Sequence, residues 1–121
     1  VIFDLTDSLG NKKVDESIQI LKQLIYQKEP IQKILITLYN HFKKLYIVKL
    51  SEKYNSNVTE NLKLKPNQTF LISKYSKQAK YFKENELKKI LEELIELDNK
   101  SKSGLLDINI GLEAILCVYC T

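Results

Sequence analysis

The sequence predicts an all-α fold, a compact bundle of about six to seven helices. Apolar residues recur at steps of three and four along almost the whole chain, and a strict apolar–polar alternation is nearly absent. The 121 residues suffice for one domain with one core. Composition agrees, because 44% apolar and 28% charged residues are ordinary values for a globular protein.

The first half of the chain predicts three helices. Residues 1–9 form a short helical stretch that Gly10 stops, and Asn11 is the predicted N-cap of the second helix. Pro30 suits the first turn of a third helix. Its apolar stripe makes residues 31–53 the longest predicted helix.

The second half continues the helical pattern. Residues 58–62 predict a single short helix, and Pro66 opens another that extends over residues 66–82. Glu84 begins a strongly patterned helix that ends near Gly104. Its predicted inward residues are Leu87, Ile90, Leu91, Leu94 and Ile95.

The last helix is unusual because it has almost no polar face. Asp107 is its predicted N-cap, and apolar residues follow from Ile108 to Tyr119. A helix that is apolar nearly all round is covered on most sides. Two interpretations remain open here: a central core helix, or a helix partly covered by another subunit.

The residues that could carry catalysis are few. His41 is the only histidine, and we interpret it as a solvated or partly buried helix residue. Cys117 and Cys120 lack the second ligand pair that a structural zinc site needs, and they lie at the wrong end of a helix for an activated thiol. We interpret them as small buried residues with free thiols. No phosphate-binding loop can form from three isolated glycines, so we expect no catalytic, cofactor or metal site.

The charge pattern limits the possible partners. All 19 basic residues are Lys, and the net charge is +4. This permits weak, non-specific attraction to nucleic acid but supplies no Arg fork for reading bases. No apolar run approaches the roughly 20 residues that span a bilayer, and nothing resembles a signal peptide, so we expect a cytoplasmic protein without a membrane partner. The chain opens on Val1 without any Met, which suggests a piece of a longer protein.

One rival hypothesis assigns DNA binding to residues 58–80. A short helix, a break and a second helix from Pro66 could form a helix-turn-helix, with Lys63, Lys65, Lys74, Lys77 and Lys80 near DNA phosphates. Only Asn67 and Gln68 at the start of that second helix are good base readers. We favour an ordinary helical corner with Lys-rich solvent faces.

Several segments, in order along the whole chain, resemble the delta subunit family of the bacterial DNA polymerase III clamp loader. Residues 2–10 look like the segment that leads into that family's third domain. The similar stretches that follow are 31–49 with its Phe42-Lys43 pair, 57–64 with Pro66, 78–82, Leu97-Asp98, 102–104 and Leu112-Glu113. Lys43 and Lys80 stand where the family more usually has Arg, which puts in doubt any contact that needs a bidentate side chain there.

This resemblance implies a collar-type oligomerisation domain spanning residues 1–121. Residues 1–10 would be the tail of the connection to absent AAA+-like domains. The expected partners are the delta-prime and tau/gamma subunits, with the sliding clamp and DNA contacted mainly by absent parts, and no small-molecule substrate. The residues that carry the resemblance are Phe3, Asp4, Phe42, Lys43, Asp98, Lys102 and Gly104. The candidate interface residues are Tyr39, Tyr46, Tyr75, Ile115 and Tyr119.

Overall fold

The computed structural model describes residues 2–104 and 107–121, and these residues form seven α-helices and no strand. The predicted all-α class is therefore confirmed. The helices are α1 (Ile2–Gly10), α2 (Val14–Tyr26), α3 (Ile31–Lys53), α4 (Val58–Leu62), α5 (Leu71–Ala79), α6 (Glu84–Lys102) and α7 (Ile108–Tyr119).

Helix α3 is the centre of the bundle. Its 23 residues make it the longest helix and about 35 Å in length. It packs against α6, α5, α4 and α1. Phe42 of α3 is fully buried and meets Phe82 edge to face at 5.8 Å between ring centroids, a favoured aromatic geometry. The predicted bounds of α3 are confirmed because its apolar stripe contacts neighbours along almost its whole length.

Helices α1 and α2 pack against each other and start differently from the prediction. Val1, which the sequence assigned to the first helix, lies outside the described residues. Gly10 is the last residue of α1 rather than the break after it. The predicted Asn11 cap is wrong: the N-cap position of α2 is Lys13, without a side-chain cap. Asn11 instead donates to the Asp7 carbonyl at 2.9 Å, closing the end of α1.

The predicted helix over residues 66–82 is interrupted. Pro66–Gln68 forms a single 3₁₀ turn, and α5 begins only at Leu71. The Gln68 side chain accepts a hydrogen bond from the Lys65 backbone N–H at 3.0 Å, which fixes the turn. Phe70 is exposed, whereas Phe82 is buried although it follows the end of α5. Local capping thus overrides the helical spacing of apolar residues.

Helix α6 packs against α3 on one side and α7 on another. Four of its five predicted inward residues are buried, but Ile95 is half exposed and Leu97 is buried instead. The Asp107 cap of α7 is confirmed, since its carboxylate accepts from the Asn109 N–H at 2.9 Å. None of the described helices is both long and apolar enough to cross a bilayer.

Candidate protein interaction surface

Helix α7 lies at the edge of the bundle with an uncovered apolar side. It packs on α6 and α2, and only Leu112 and Leu116 within the helix are buried. Ile110 and Val118 are each 67% exposed, on the side opposite those leucines. The interpretation of α7 as the central core helix is therefore wrong, because α3 occupies that place. The alternative, an outer side available to another chain, agrees with the geometry.

The cysteine pair also belongs to this helix end. Cys120 is buried, and that burial raises the pKa of its thiol to about 12. Cys117 is exposed on the outer side of α7, so the expectation of two buried cysteines is half wrong. Cys117 lies within α7, whereas Cys120 is the residue that follows its last turn.

A cleft separates the exposed sides of α6 and α7. Its volume is about 310 Å³, and the candidate interface residue Ile115 lines it. Its other lining residues are Glu93, Glu96, Leu97, Lys100, Ile110, Gly111 and Ala114. Tyr119 lies near this cleft, half buried, and the pKa of its phenol is raised by desolvation and by a hydrogen bond to Glu93. This cleft is apolar at its α7 wall and charged at its α6 wall.

A second groove runs between α3 and α6. Its volume is about 380 Å³, and Tyr39, Asp98 and Lys102 line it together. Lys102 and Asp98 form an ion pair of 2.9 Å, four residues apart on α6. The structure thus brings one candidate interface residue next to two residues singled out by sequence resemblance.

The remaining predicted residues do not gather into one site. Tyr46 is half buried against the core, while Tyr75 is buried, so its ring has little surface to offer a partner. Phe3 and Asp4 are exposed on α1, and Lys43 is exposed on α3 beside the buried Phe42. Gly104 has a φ of +73°, which a residue with a side chain rarely adopts, so it allows the chain to turn after α6.

The sequence did not reveal a buried polar contact that joins three helices. His41 of α3 donates from Nε2 to Gln78 Oε1 of α5 at 2.7 Å, and a methyl group at Gly10 of α1 would overlap that same amide. Burial lowers the pKa of His41 to about 4, so the ring is neutral at pH 7. His41 is therefore more buried than predicted. Only its placement in a mostly apolar stripe of α3 could have suggested this.

The described residues offer no ligand cluster for a metal ion: nowhere in residues 2–104 and 107–121 do three His, Cys, Asp or Glu side chains come together to hold one. His41 lacks an adjacent nucleophile, since its ring neighbours are Phe42 and Tyr75 and its hydrogen-bond partner is Gln78. The His41 and Gln78 side chains thus hold α3 and α5 together.

The geometry does not favour the helix-turn-helix hypothesis. The segment that should open the recognition helix is the 3₁₀ turn, and its base reader Gln68 is held by the Lys65 backbone. Lys74 of α5, one of the lysines proposed to contact DNA phosphates, instead forms an ion pair with Asp7 of α1 at 2.6 Å.

Comparison with known proteins identifies the family of this chain. Residues 1–119 match the family described as DNA polymerase III delta subunit, C-terminal domain. The chain is 32% identical over 118 residues to the DNA polymerase III subunit delta of Bacillus subtilis (strain 168), covering 95% of this chain and 33% of that protein. It superposes on the solved Bacillus subtilis DNA clamp loader delta protein with a TM-score of 0.80 at 31% identity, covering 98% of this chain and 35% of that one. The chain spans about a third of the length of both relatives. Because the match extends over almost its whole length, this chain belongs to the family of C-terminal domains of the DNA polymerase III delta protein.

Proposed function

We propose that this chain is the subunit-assembly domain of a clamp-loader delta subunit. It would hold the parent protein in a ring-shaped collar while the complex loads the sliding clamp for DNA replication. Family membership and the likeness to a clamp loader delta protein support the parent complex. The observation that carries the assembly role is the outer side of α7, where Ile110 and Val118 are each 67% exposed.

The physical reason is the free energy of covering apolar surface. Each Å² of apolar surface removed from water contributes about 25 cal/mol. The centre of a protein interface is richer in apolar and poorer in charged residues than the rest of the surface. The outer stripe of α7, formed by Ile110, Ala114, Cys117 and Val118, carries no charged side chain. It therefore resembles the centre of an interface more than a solvated helix face.

The proposed partners are the delta-prime and tau/gamma subunits, whose similar collar domains would flank this one. The resemblance further implies that the parent protein has AAA+-like domains that touch the clamp, and that residues 1–10 connect to them. In this structure α1 is also part of the bundle, because Leu5 and Leu9 are fully buried. The proposed parent is a non-polymerase subunit that acts in the cytoplasm, with no cofactor, catalytic step or small-molecule substrate assigned to this domain.

Reconstitution of the complex tests the proposal. Full-length delta protein is mixed with purified delta-prime and tau/gamma subunits, and the complex is quantified by native mass spectrometry. We expect a stoichiometric complex, and we expect Val118→Lys to weaken it about tenfold or more because a charge would be buried. Tyr26→Lys is the control, since Tyr26 is an 87% exposed aromatic of α2 and does not line the α6–α7 cleft.

Two results of these experiments would contradict the proposal. If the wild-type protein forms no complex with these subunits, the assembly role is wrong. If the protein instead shifts duplex DNA tightly with a steep salt dependence, the DNA-binding hypothesis regains support.

A further inference from the structure

The part of the chain that joins α3 to α5, residues 54–70, is weakly attached to the bundle. We refer to it as the α4 corner. Ser51 and Tyr75 are buried, but none of residues 52–74 between them is, and the structure describes all of these residues. Buried apolar side chains supply most of the free energy that fixes a segment in a fold. Little free energy therefore opposes separation of the α4 corner from α3.

The apolar side chains of the corner give α4 only a partial anchor. Val58 and Leu62 of α4 are half buried against the core. Tyr54 and Phe70, at the two ends of the corner, are 69% and 73% exposed. A helix of five residues is too short to be stable in isolation, so α4 depends on its contact with α3.

One asparagine side chain joins the corner to α3 by hydrogen bonds. Asn61 Nδ2 donates to Ser51 Oγ of α3 and to Ser56 Oγ, in both cases at 2.8 Å. The Ser56 backbone N–H also donates to the Ser51 carbonyl at 2.8 Å. A hydrogen bond of this kind shifts an equilibrium only about two- to tenfold, because both groups bond to water when the contact opens.

Backbone strain within the corner favours opening. Lys63, the residue that ends α4, has a φ of +57° and a ψ of +40°, in the left-handed region. Asn55, before α4, has a φ of +52°. Asn tolerates this conformation, whereas Lys is disfavoured there because its Cβ lies too close to the following carbonyl oxygen. Release of the corner lets Lys63 leave this conformation.

A cleft between α3 and the corner shows which surface opening would uncover. Its volume is about 370 Å³. Ile47 and Leu50 line its α3 side, and Ser56 and Asn61 line the opposite side. Ile47 and Leu50 are half buried. Movement of α4 away from α3 would widen the cleft and expose more of both apolar side chains.

We propose that the α4 corner is a flap that opens from α3 as one unit while the rest of the bundle stays folded. The Asn61 side chain is the latch of this flap, and the strained backbone of Lys63 favours the open form. Opening presents an apolar surface of α3 that the closed domain largely covers, a change that a local unfolding equilibrium can supply. This inference concerns the fold of the chain and does not depend on the proposed collar function.

Hydrogen exchange of the full-length delta protein, followed by mass spectrometry at several low urea concentrations, tests the flap. Peptides covering residues 58–64 should exchange at a rate that urea hardly changes, since local opening exposes little surface. Peptides around Phe42 of α3 should exchange about a hundredfold more slowly or less, with a steep dependence on urea. The same urea dependence in both regions would mean that the corner opens only on global unfolding, which overturns the proposal.

Two substitutions should shift the opening in opposite directions. Asn61→Ala removes the latch and should speed exchange over residues 58–64 about fivefold or more. Lys63→Gly puts the residue that adopts the left-handed conformation freely at the strained position, so it should slow exchange there about threefold. Exchange around Phe42 should stay the same in both variants.

The chain offers a matched control for each substitution. Asn40→Ala makes the same change at an exposed asparagine of α3 and should leave exchange over residues 58–64 unaltered. Lys65→Gly introduces glycine at a φ of −75°, which any residue adopts, so it should not slow exchange. Equal effects of Asn61→Ala and Asn40→Ala would overturn the latch. Equal effects of Lys63→Gly and Lys65→Gly would overturn the role of backbone strain.

Discussion

The contact between Gly10, Gln78 and His41 makes a sharp prediction about stability. Gly10 of α1 is buried against the Gln78 amide, which accepts the His41 Nε2 proton at 2.7 Å. In Gly10→Ala the new methyl group would overlap the Oε1 and Cδ atoms of Gln78, with Cγ at 3.1 Å. Because Gln78 is only 2% exposed, its side chain has no solvent into which it can move.

The expected cost follows from three effects. Displacing the amide leaves the buried His41 and Gln78 groups unsatisfied, which costs about 1–3 kcal/mol. Crowding a packed interior costs about 1–3 kcal/mol. Replacing Gly by Ala at a helical position returns up to about 1 kcal/mol. We therefore expect Gly10→Ala to lower the free energy of unfolding by about 3 kcal/mol and the Tm by about 12 °C.

Urea denaturation of a double-mutant cycle measures the effect and identifies its cause. In a Gln78→Ala background the space beside Gly10 is open, so Gly10→Ala should there be neutral or slightly stabilising. Gly10→Ala within about 0.5 kcal/mol of the wild type would refute the steric reasoning, on the usual scale of harmless substitutions. An equal cost in both backgrounds would refute the role of Gln78.

Three further predictions concern His41, the cysteines and the Asp107 cap. Burial lowers the pKa of His41 from 6.5 to about 4, so the unfolded chain binds more protons across this window and stability falls as pH drops through it. Between pH 7 and pH 5 this proton binding should lower the free energy of unfolding by about 2 kcal/mol. Urea denaturation at a series of pH values should therefore show a weaker pH dependence for His41→Gln than for the wild type, and the same pH dependence in both would contradict the prediction. A thiol reagent should modify the exposed Cys117 in the native chain, and Cys120 only in denaturant. Rapid modification of both cysteines in the native chain would show that Cys120 is not buried. Asp107→Ala should cost about 1 kcal/mol and speed amide exchange at Asn109 and Ile110, whose N–H groups it caps, with α3 unaffected; unchanged exchange there would rule the cap out.

Helical periodicity determined more of this fold than cap chemistry did. The stripe of α3 predicted both of its ends, because a long run of residues at steps of three and four outweighs any single position. Asn11 and Pro66 misled the prediction, since each local signal competes with nearby hydrogen bonds. The Asn11 amide bonds to Asp7, and the Gln68 side chain closes a 3₁₀ turn after Pro66.

The interaction surface was only partly predictable. The sequence identified α7 as a helix without a polar face, but apolar residues look alike whether their own chain or another chain covers them. The structure decided between these possibilities by placing α3 in the centre and α7 at the edge. The structure also shows that the Tyr75 ring is buried in the core and that Ile95 is half exposed at the edge of a groove. Both outcomes depend on which residues of other helices lie beside these side chains.

The sequence by itself determined the all-helical class, the order and most bounds of the helices, and the scarcity of reactive groups. These features depend on residue type and on spacing along the chain, which any sequence displays directly. The tertiary structure alone decided which sides of α6 and α7 stay uncovered, how Asp98 is paired, and how Gly10, Gln78 and His41 meet across three helices. These features depend on distances between residues far apart in the chain, and such distances are fixed only when the helices pack.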